Sequence, residues 1–420
     1  MTDVVVIGTG TAGLAAAIRC RRAGLRVTLL AKGVGSTHLA PGLVDVLGYD
    51  PEPVENPSER LPGYIVRNAE HPYARIGADA IARSMEWFKG LFSGYAYLGG
   101  LEKNFLLPTA IGAVKPSALV PETMAAGDLR NGGRFLFVGL RQLKDFYPAL
   151  AAQNVAKTKP PSGAEISARA VQIEPPAGGE ADVTSMAFAR KFDDDADFLE
   201  TVATQIAAHL EDEDAVGLPA VLGVQRPHEI WTRLQGILGR PVFEIPGLPP
   251  SVPGVRLHDT LLARFQSAGG RVVMGAGAVG ADTDGDRVTA VRVSTAARIK
   301  AFPARHFVLA TGGFGSGAIE MTSTWTVREN VFGLPVAGVP AEGKERFNPS
   351  YFGRHPMAGA GIRVDDSLRP LDEEGNRLFE NVTVAGACIA GSEAWREKSG
   401  EGISLSSGHK AASVAIEGAT

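Results

Sequence analysis

The stretch from Asp3 to Gly35 constrains the fold more than any other part of the chain. Val4-Val5-Val6-Ile7 is a β-branched run, the composition of a strand buried on both faces of a parallel sheet. Gly8-Thr9-Gly10-Thr11-Ala12-Gly13 follows at once, with its glycines at the G-x-G-x-x-G spacing. Leu14 to Ala23 reads as a helix closed by Gly24, and Val27 to Leu30 as a second strand. Each glycine of the motif has its own task. Gly8 makes the tight turn, Gly10 lets the backbone approach a pyrophosphate, and Gly13 lets helix and strand pack closely. Phosphates are then expected at the helix N-terminus, among unpaired N–H groups and at the positive end of the helix dipole. The glycine spacing alone is a weak signal, but strand, glycines, helix and second strand in order make a strong one. One expected residue is absent. A dinucleotide site usually carries Asp or Glu near the end of the second strand, bonded to the adenosine ribose. This chain has Ala31-Lys32 there.

A chain of 420 residues has room for two or three domains. Its 51 glycines suit a fold in which backbone approaches ligand in several places. A net charge of -4 gives no reason to expect nucleic acid. The two cysteines, Cys20 and Cys388, lie in apolar surroundings and are expected as buried thiols, which points to the cytoplasm. Two are too few for a four-cysteine iron–sulfur cluster, and no metal site is expected in the chain. Val4 to Ile18 is uncharged but shorter than the ~20 apolar residues a membrane span needs. Asp3 stands where a signal peptide would begin with basic residues, so no leader is expected.

Gly33 to Gly48 is a loop of Ser, Thr, His, Pro and Gly after the second strand, placed to lie along the first helix. Residues 50 to 65 read as a surface loop, Ile76 to Leu91 as a helix. Gly94 to Gly133 is irregular and is expected to leave the nucleotide domain. Arg134 to Val138, a helix from Leu143, Val216 to Val224, a helix around His228 to Leu238, and Pro241 to Ile245 repeat a strand–helix pattern. Residues 71–250 are therefore expected as an inserted α/β domain, with 1–70 and 251–420 forming one discontinuous nucleotide-binding domain. The expected fold class is α/β: a Rossmann-like, doubly wound parallel sheet with that second domain inserted.

Three apolar strands each end in glycine: Ile7-Gly8, Ala310-Thr311-Gly312-Gly313 and Ala385-Gly386. Ligands of doubly wound sheets bind outside the carboxyl ends of such strands. Together with the Ser/Thr/Gly loop, this arrangement resembles the two-dinucleotide-fold flavoproteins, the class of succinate dehydrogenase and fumarate reductase flavoprotein subunits. His71-Pro72-Tyr73, Leu248-Pro249-Pro250-Ser251-Val252-Pro253-Gly254-Val255-Arg256-Leu257, Gly269-Gly270-Arg271-Val272 and the loop Ser36 to Asp45 are more narrowly similar to the B subunit of anaerobic glycerol-3-phosphate dehydrogenase. That resemblance runs from end to end. It implies a second flavoprotein, usually assigned FMN, whose partners are the catalytic flavoprotein and the iron–sulfur protein of the same complex. Electrons then pass from glycerol 3-phosphate to the quinone pool, and the chain sits on the inner face of the cell membrane only through a partner.

FMN has no adenosine ribose, so Ala31-Lys32 costs nothing if FMN is bound, and Lys32 is then near the terminal phosphate. FAD is the close alternative. By motif, the resemblance implies Gly8, Gly10, Thr11, Ala12 and Gly13 at the phosphate, and Ser36, Thr37, Pro41 and Gly42 near ribitol and ring. Ala278 and Val279 match the stretch that meets an adenine, if FAD binds. Thr311, Gly312 and Gly313 close one side, and Gly386 and Ala387 the pyrophosphate side. N–H groups of Gly402, Ile403 and Ser404, at the start of the last helix, are expected to face the edge of the flavin where negative charge develops on reduction. For proton chemistry the candidates are His38, His258, Arg256, Arg354 and His355. Two other readings stay open: a stand-alone flavin-dependent dehydrogenase or reductase of the fumarate reductase-like class, and a structural protein of the complex without cofactor.

Overall fold

The computed structural model describes residues 2–419 except 178, 276 and 296–297. Strand β1 (Thr2–Ile7), helix α1 (Thr11–Arg22) and strand β2 (Val27–Ala31) form in that order, and β1 and β2 pair in parallel. Helix α2 (Pro57–Arg67) occupies the stretch expected to be loop. Its start is a cap: Asn56 accepts the Glu59 N–H at 3.2 Å, and Pro57 stands first, where its missing N–H costs nothing. Leu61 and Tyr64 then bury one face. The stretch from Gly94 does not depart from the first domain. Val44 bridges Leu119 in a short antiparallel pairing, and the Tyr97 hydroxyl donates to the Gly42 carbonyl at 2.7 Å.

Strands β3 (Gly133–Leu140) and β4 (Ile166–Ile173), helix α3 (Ser185–Asp194), and strands β5 (Ala215–Pro219) and β6 (Val242–Ile245) follow. The strands pair in the order β4-β3-β5-β6, all parallel. Helix α4 (Val252–Ser267) brings the chain back to the first sheet, to which strands β7 (Arg271–Met274), β8 (Gly277–Asp284), β9 (Arg287–Ser294), β10 (Ile299–Leu309) and β11 (Val382–Val384) belong. The long helix α5 (Gly400–Glu417) ends the fold against α1.

The first sheet runs β7-β2-β1-β10-β9-β8, with β11 on β10 as well. Strand β10 serves two sets of neighbours along its length. Its first half pairs antiparallel with β9, and its second half lies parallel between β1 and β11. Residues 4–119 and 257–416 supply one apolar core, and residues 129–245 supply another. A buried ion pair bridges the two: Arg256 of α4 meets the Glu244 carboxylate of β6 at 2.5 and 2.9 Å and donates to the Gly223 carbonyl at 2.7 Å. Burial opposes the charge of Arg256, yet Glu244 outweighs it and holds the guanidinium above its ordinary pKa.

Candidate flavin crevice

The parallel pairing sets Ile7 beside Leu309 and Leu309 beside Val384, so β1, β10 and β11 all end at one edge of the sheet. The glycines there do different things. Gly8 has a φ of 115°, and a Cβ on it would stand 2.2 Å from the Ala310 carbonyl oxygen. A Cβ on Gly13 would stand 2.0 Å from the Gly8 carbonyl oxygen. Both are close backbone approaches that only glycine allows. Gly10 differs: its Cβ would meet nothing within 4 Å. It caps α1 without any side-chain hydrogen bond, and the first turn of α1 holds no acidic residue. The positive end of α1 therefore opens onto free space, which is the geometry of an anion site.

The other segments close on this point. Thr9 donates to the Gly33 carbonyl at 2.7 Å, a Cβ on Gly35 would lie 3.0 Å from the Gly10 nitrogen, and the Thr11 and Thr37 hydroxyls are 3.4 Å apart. A Cβ on Gly313 would lie 3.0 Å from the Ala387 carbonyl, and one on Gly386 would lie 3.0 Å from Ala12 and 3.9 Å from the Ser404 hydroxyl. The Gly386 N–H is held by Ser407 at 2.8 Å. Gly8, Gly10, Thr11, Ala12, Gly13, Thr37, Thr311, Gly312, Gly313, Gly386, Ala387 and Ser404 thus gather at one carboxyl edge of the sheet, with Ser36 exposed at its loop and Gly42, next to Pro41, packed against Pro253 of α4. The Thr311 hydroxyl is buried without a partner. An uncapped helix end, an open approach at Gly10 and an orphaned hydroxyl fit a phosphate-bearing cofactor.

Lys32 is exposed just past β2. Strand β7 pairs with β2 up to Ala31, and β8, which carries Ala278 and Val279, touches β2 as well. At the start of α5 the expectation needs correcting for two donors. The Gly402 N–H donates to the Asp45 carbonyl at 2.8 Å, because α5 is packed tightly on the Asp45–Val46 backbone, and the Ile403 N–H donates to the Ser399 carbonyl at 2.9 Å as the helix's own bond to its cap residue.

Sequence reasoning missed the residue between Gly400 and Gly402. One oxygen of the Glu401 carboxyl is buried without a partner. Burial pushes this carboxyl above the ordinary carboxylate range; a hydrogen bond from Thr11 works against the rise, Asp45 adds to it and Lys115 opposes it. Asp45 itself is bonded to Lys115 and, at 2.6 Å, to Ser117. No spacing in the sequence joins Thr11, Asp45, Lys115 and Glu401.

Of the candidates for proton chemistry, the fold brings two together. His38 and His258 meet edge to face with ring centres 4.6 Å apart. Arg256 is committed to Glu244. Arg354 and His355 sit in another part of the chain: Arg354 is 81% exposed in its side chain and pairs with Glu393 at 2.9 Å. Both ring nitrogens of His355 are taken locally, by the Asn348 N–H at 3.0 Å and the Tyr351 carbonyl at 3.0 Å.

The family described as FAD binding domain matches residues 3–403. Fold and crevice together define a flavin-dependent oxidoreductase with the FAD-binding α/β fold expected from the sequence. The probable B subunit of anaerobic glycerol-3-phosphate dehydrogenase from Halobacterium salinarum is 34% identical over 99% of this chain and 98% of its own length. The B subunit from Pectobacterium atrosepticum is 31% identical over 99% of both. The chain belongs to the family of anaerobic glycerol-3-phosphate dehydrogenase B subunits. Among solved structures, the 3-ketosteroid delta1-dehydrogenase of Sterolibacterium denitrificans superposes with a TM-score of 0.47 at 13% identity, over 99% of each chain. No helix of the described residues is long and apolar enough to cross a membrane.

Proposed function

We propose that this chain is the electron-transferring flavoprotein of a respiratory glycerol-3-phosphate dehydrogenase complex. It takes electrons from the catalytic flavoprotein of the complex and hands them to an iron–sulfur protein, and so to quinone. The observation that carries the reading is the open, uncapped start of α1 at Gly10, ringed by segments from 33–42, 311–313 and 386–387. When bound there, a flavin supplies two-electron redox chemistry. The chain's own residues do the rest. The first turn of α1 meets the phosphate without an opposing acid, and the raised pKa of Glu401 lessens the negative charge a phosphate would meet beside Thr11. Thr311 has a hydroxyl to offer, and Gly8 and Gly13 keep the sheet edge and helix close enough to exclude water beneath the phosphate.

For the flavin we propose FMN, since β2 ends in Ala31-Lys32 with no carboxylate for an adenosine ribose. FAD is favoured instead by the family match. The two cysteines are both buried, and burial pushes each thiol up to about 12, so neither is suited to ligate a cluster. The iron–sulfur group is therefore assigned to a partner, which also brings the chain to the membrane's inner face. The test compares the purified chain with the assembled complex. The chain alone should bleach with dithionite and oxidise glycerol 3-phosphate negligibly, and adding the partner proteins should give quinone reduction. Quinone reduction at respiratory rates by the chain alone would reject this role.

A further inference from the structure

We propose that His38, His258 and Asp259 hold a divalent transition-metal ion at the junction of the turn Ser36–Leu39 and α4. One ligand atom of each lies within 4.8 Å of those of the other two, the one such group among the described residues. The two imidazoles come from opposite walls. His38 belongs to the loop that flanks the flavin crevice, and His258 and Asp259 are neighbours on α4.

A second observation is independent of that spacing. His258 is 1% exposed, and the Nε2 atoms of both His258 and His38 are buried without a hydrogen-bond partner. Nearly all buried polar nitrogens find one, and the two rings that carry these orphans touch, with centres 4.6 Å apart, so the pair calls for a ligand. The two nitrogens make no hydrogen bond to each other, and an ion held between the rings would give them a partner. The Asp259 carboxylate lies 3.3 Å from His258 Nδ1, near enough to share the ion or to hold the ring in the ligating tautomer.

The frame is rigid before any ion arrives. The Ser251 N–H donates to the His38 carbonyl at 2.8 Å, and Gly254 packs its backbone onto the Thr37 and Ala40 carbonyls. Two imidazoles and a carboxylate suit zinc or ferrous iron, whereas calcium and magnesium prefer all-oxygen sites. Two of the three proposed ligands, His38 and Asp259, also line a cavity of about 470 Å³, together with Arg190, Asp193, Asp194 and Gln225. The sequence expectation of no metal rested on cysteine count; 220 residues separate His38 from His258 in the sequence, and only the return of α4 unites them.

The experiment titrates the full-length, chelator-treated chain with Co²⁺ and reads the visible ligand-field absorption, which reports coordination directly and does not depend on flavin or turnover. We expect saturable binding of one Co²⁺ per chain, displaced by Zn²⁺. His38→Gln and Asp259→Asn, at positions that are not fully buried, should each weaken it roughly 10–100-fold while circular dichroism stays unchanged. Absence of saturable binding to the unmodified chain would overturn the proposal. So would binding whose strength and spectrum are the same in both variants.

Discussion

At the scale of single residues, glycines 10 and 13 separate binding from folding. A side chain at Gly10 enters open space, so Gly10→Val should leave the fold intact and abolish flavin binding, because the valine fills the approach to the helix end. A side chain at Gly13 drives into the Gly8 carbonyl, so Gly13→Val should lower stability by roughly 1–3 kcal/mol or more. Thermal melts and flavin absorbance on both variants check this; full flavin occupancy in Gly10→Val would remove the loop from the site. His306 gives a pH prediction. Burial, with Arg369 and Arg287 nearby, pushes it down to about 3 from an ordinary 6.5. Between those values the unfolded chain takes up a proton that the folded chain refuses. The histidine's contribution is thus full above 6.5 and is lost as the pH falls toward 3. His306→Gln should flatten the acid limb of a stability–pH curve; an unchanged limb would show that other groups set it. The close approaches of Gly8 and Gly13 were legible in the sequence, because spacing and strand context determine them. The state of Glu401 was not, since its partners come from distant segments.

At the scale of elements, β1, α1, β2 and the glycine-ended strands were readable from composition and punctuation. Helix α2 was not, because Pro57, Pro62 and Gly63 look like loop residues when the buried Leu61 and Tyr64 are not known to share a face. The helix expected from Leu143 begins only at Pro148, since Leu143 and Phe146 are buried from a preceding turn rather than along a helix stripe. Element junctions were least legible of all. In sequence Arg256 reads as a candidate for proton chemistry and Glu244 as part of a short strand, yet the two form a pair between α4 and β6 whose side chains are at most 2% exposed. Arg256→Met strands the Glu244 charge among apolar groups and should cost about 3–5 kcal/mol. Arg256→Met with Glu244→Leu should recover much of it. Urea denaturation of the two variants decides; equal losses would mean that packing, rather than the unpaired charge, sets the cost.

At the scale of the whole molecule, a larger mixed sheet and a smaller parallel one stand on separate cores, with the crevice at the carboxyl edge of the larger one. The α/β class and the family were legible in the chain's own residues; the closeness of His38 to His258 was not, because it depends on how the chain returns after the second sheet. The central claim is that the crevice at Gly10 carries a flavin. The most direct measurement is mass spectrometry of what the purified chain releases on denaturation. The account predicts one flavin per chain, with the mass of FMN; the mass of FAD would preserve the crevice and overturn only that choice. A colourless chain that releases no flavin, and takes up neither FMN nor FAD when they are added, would contradict the claim itself.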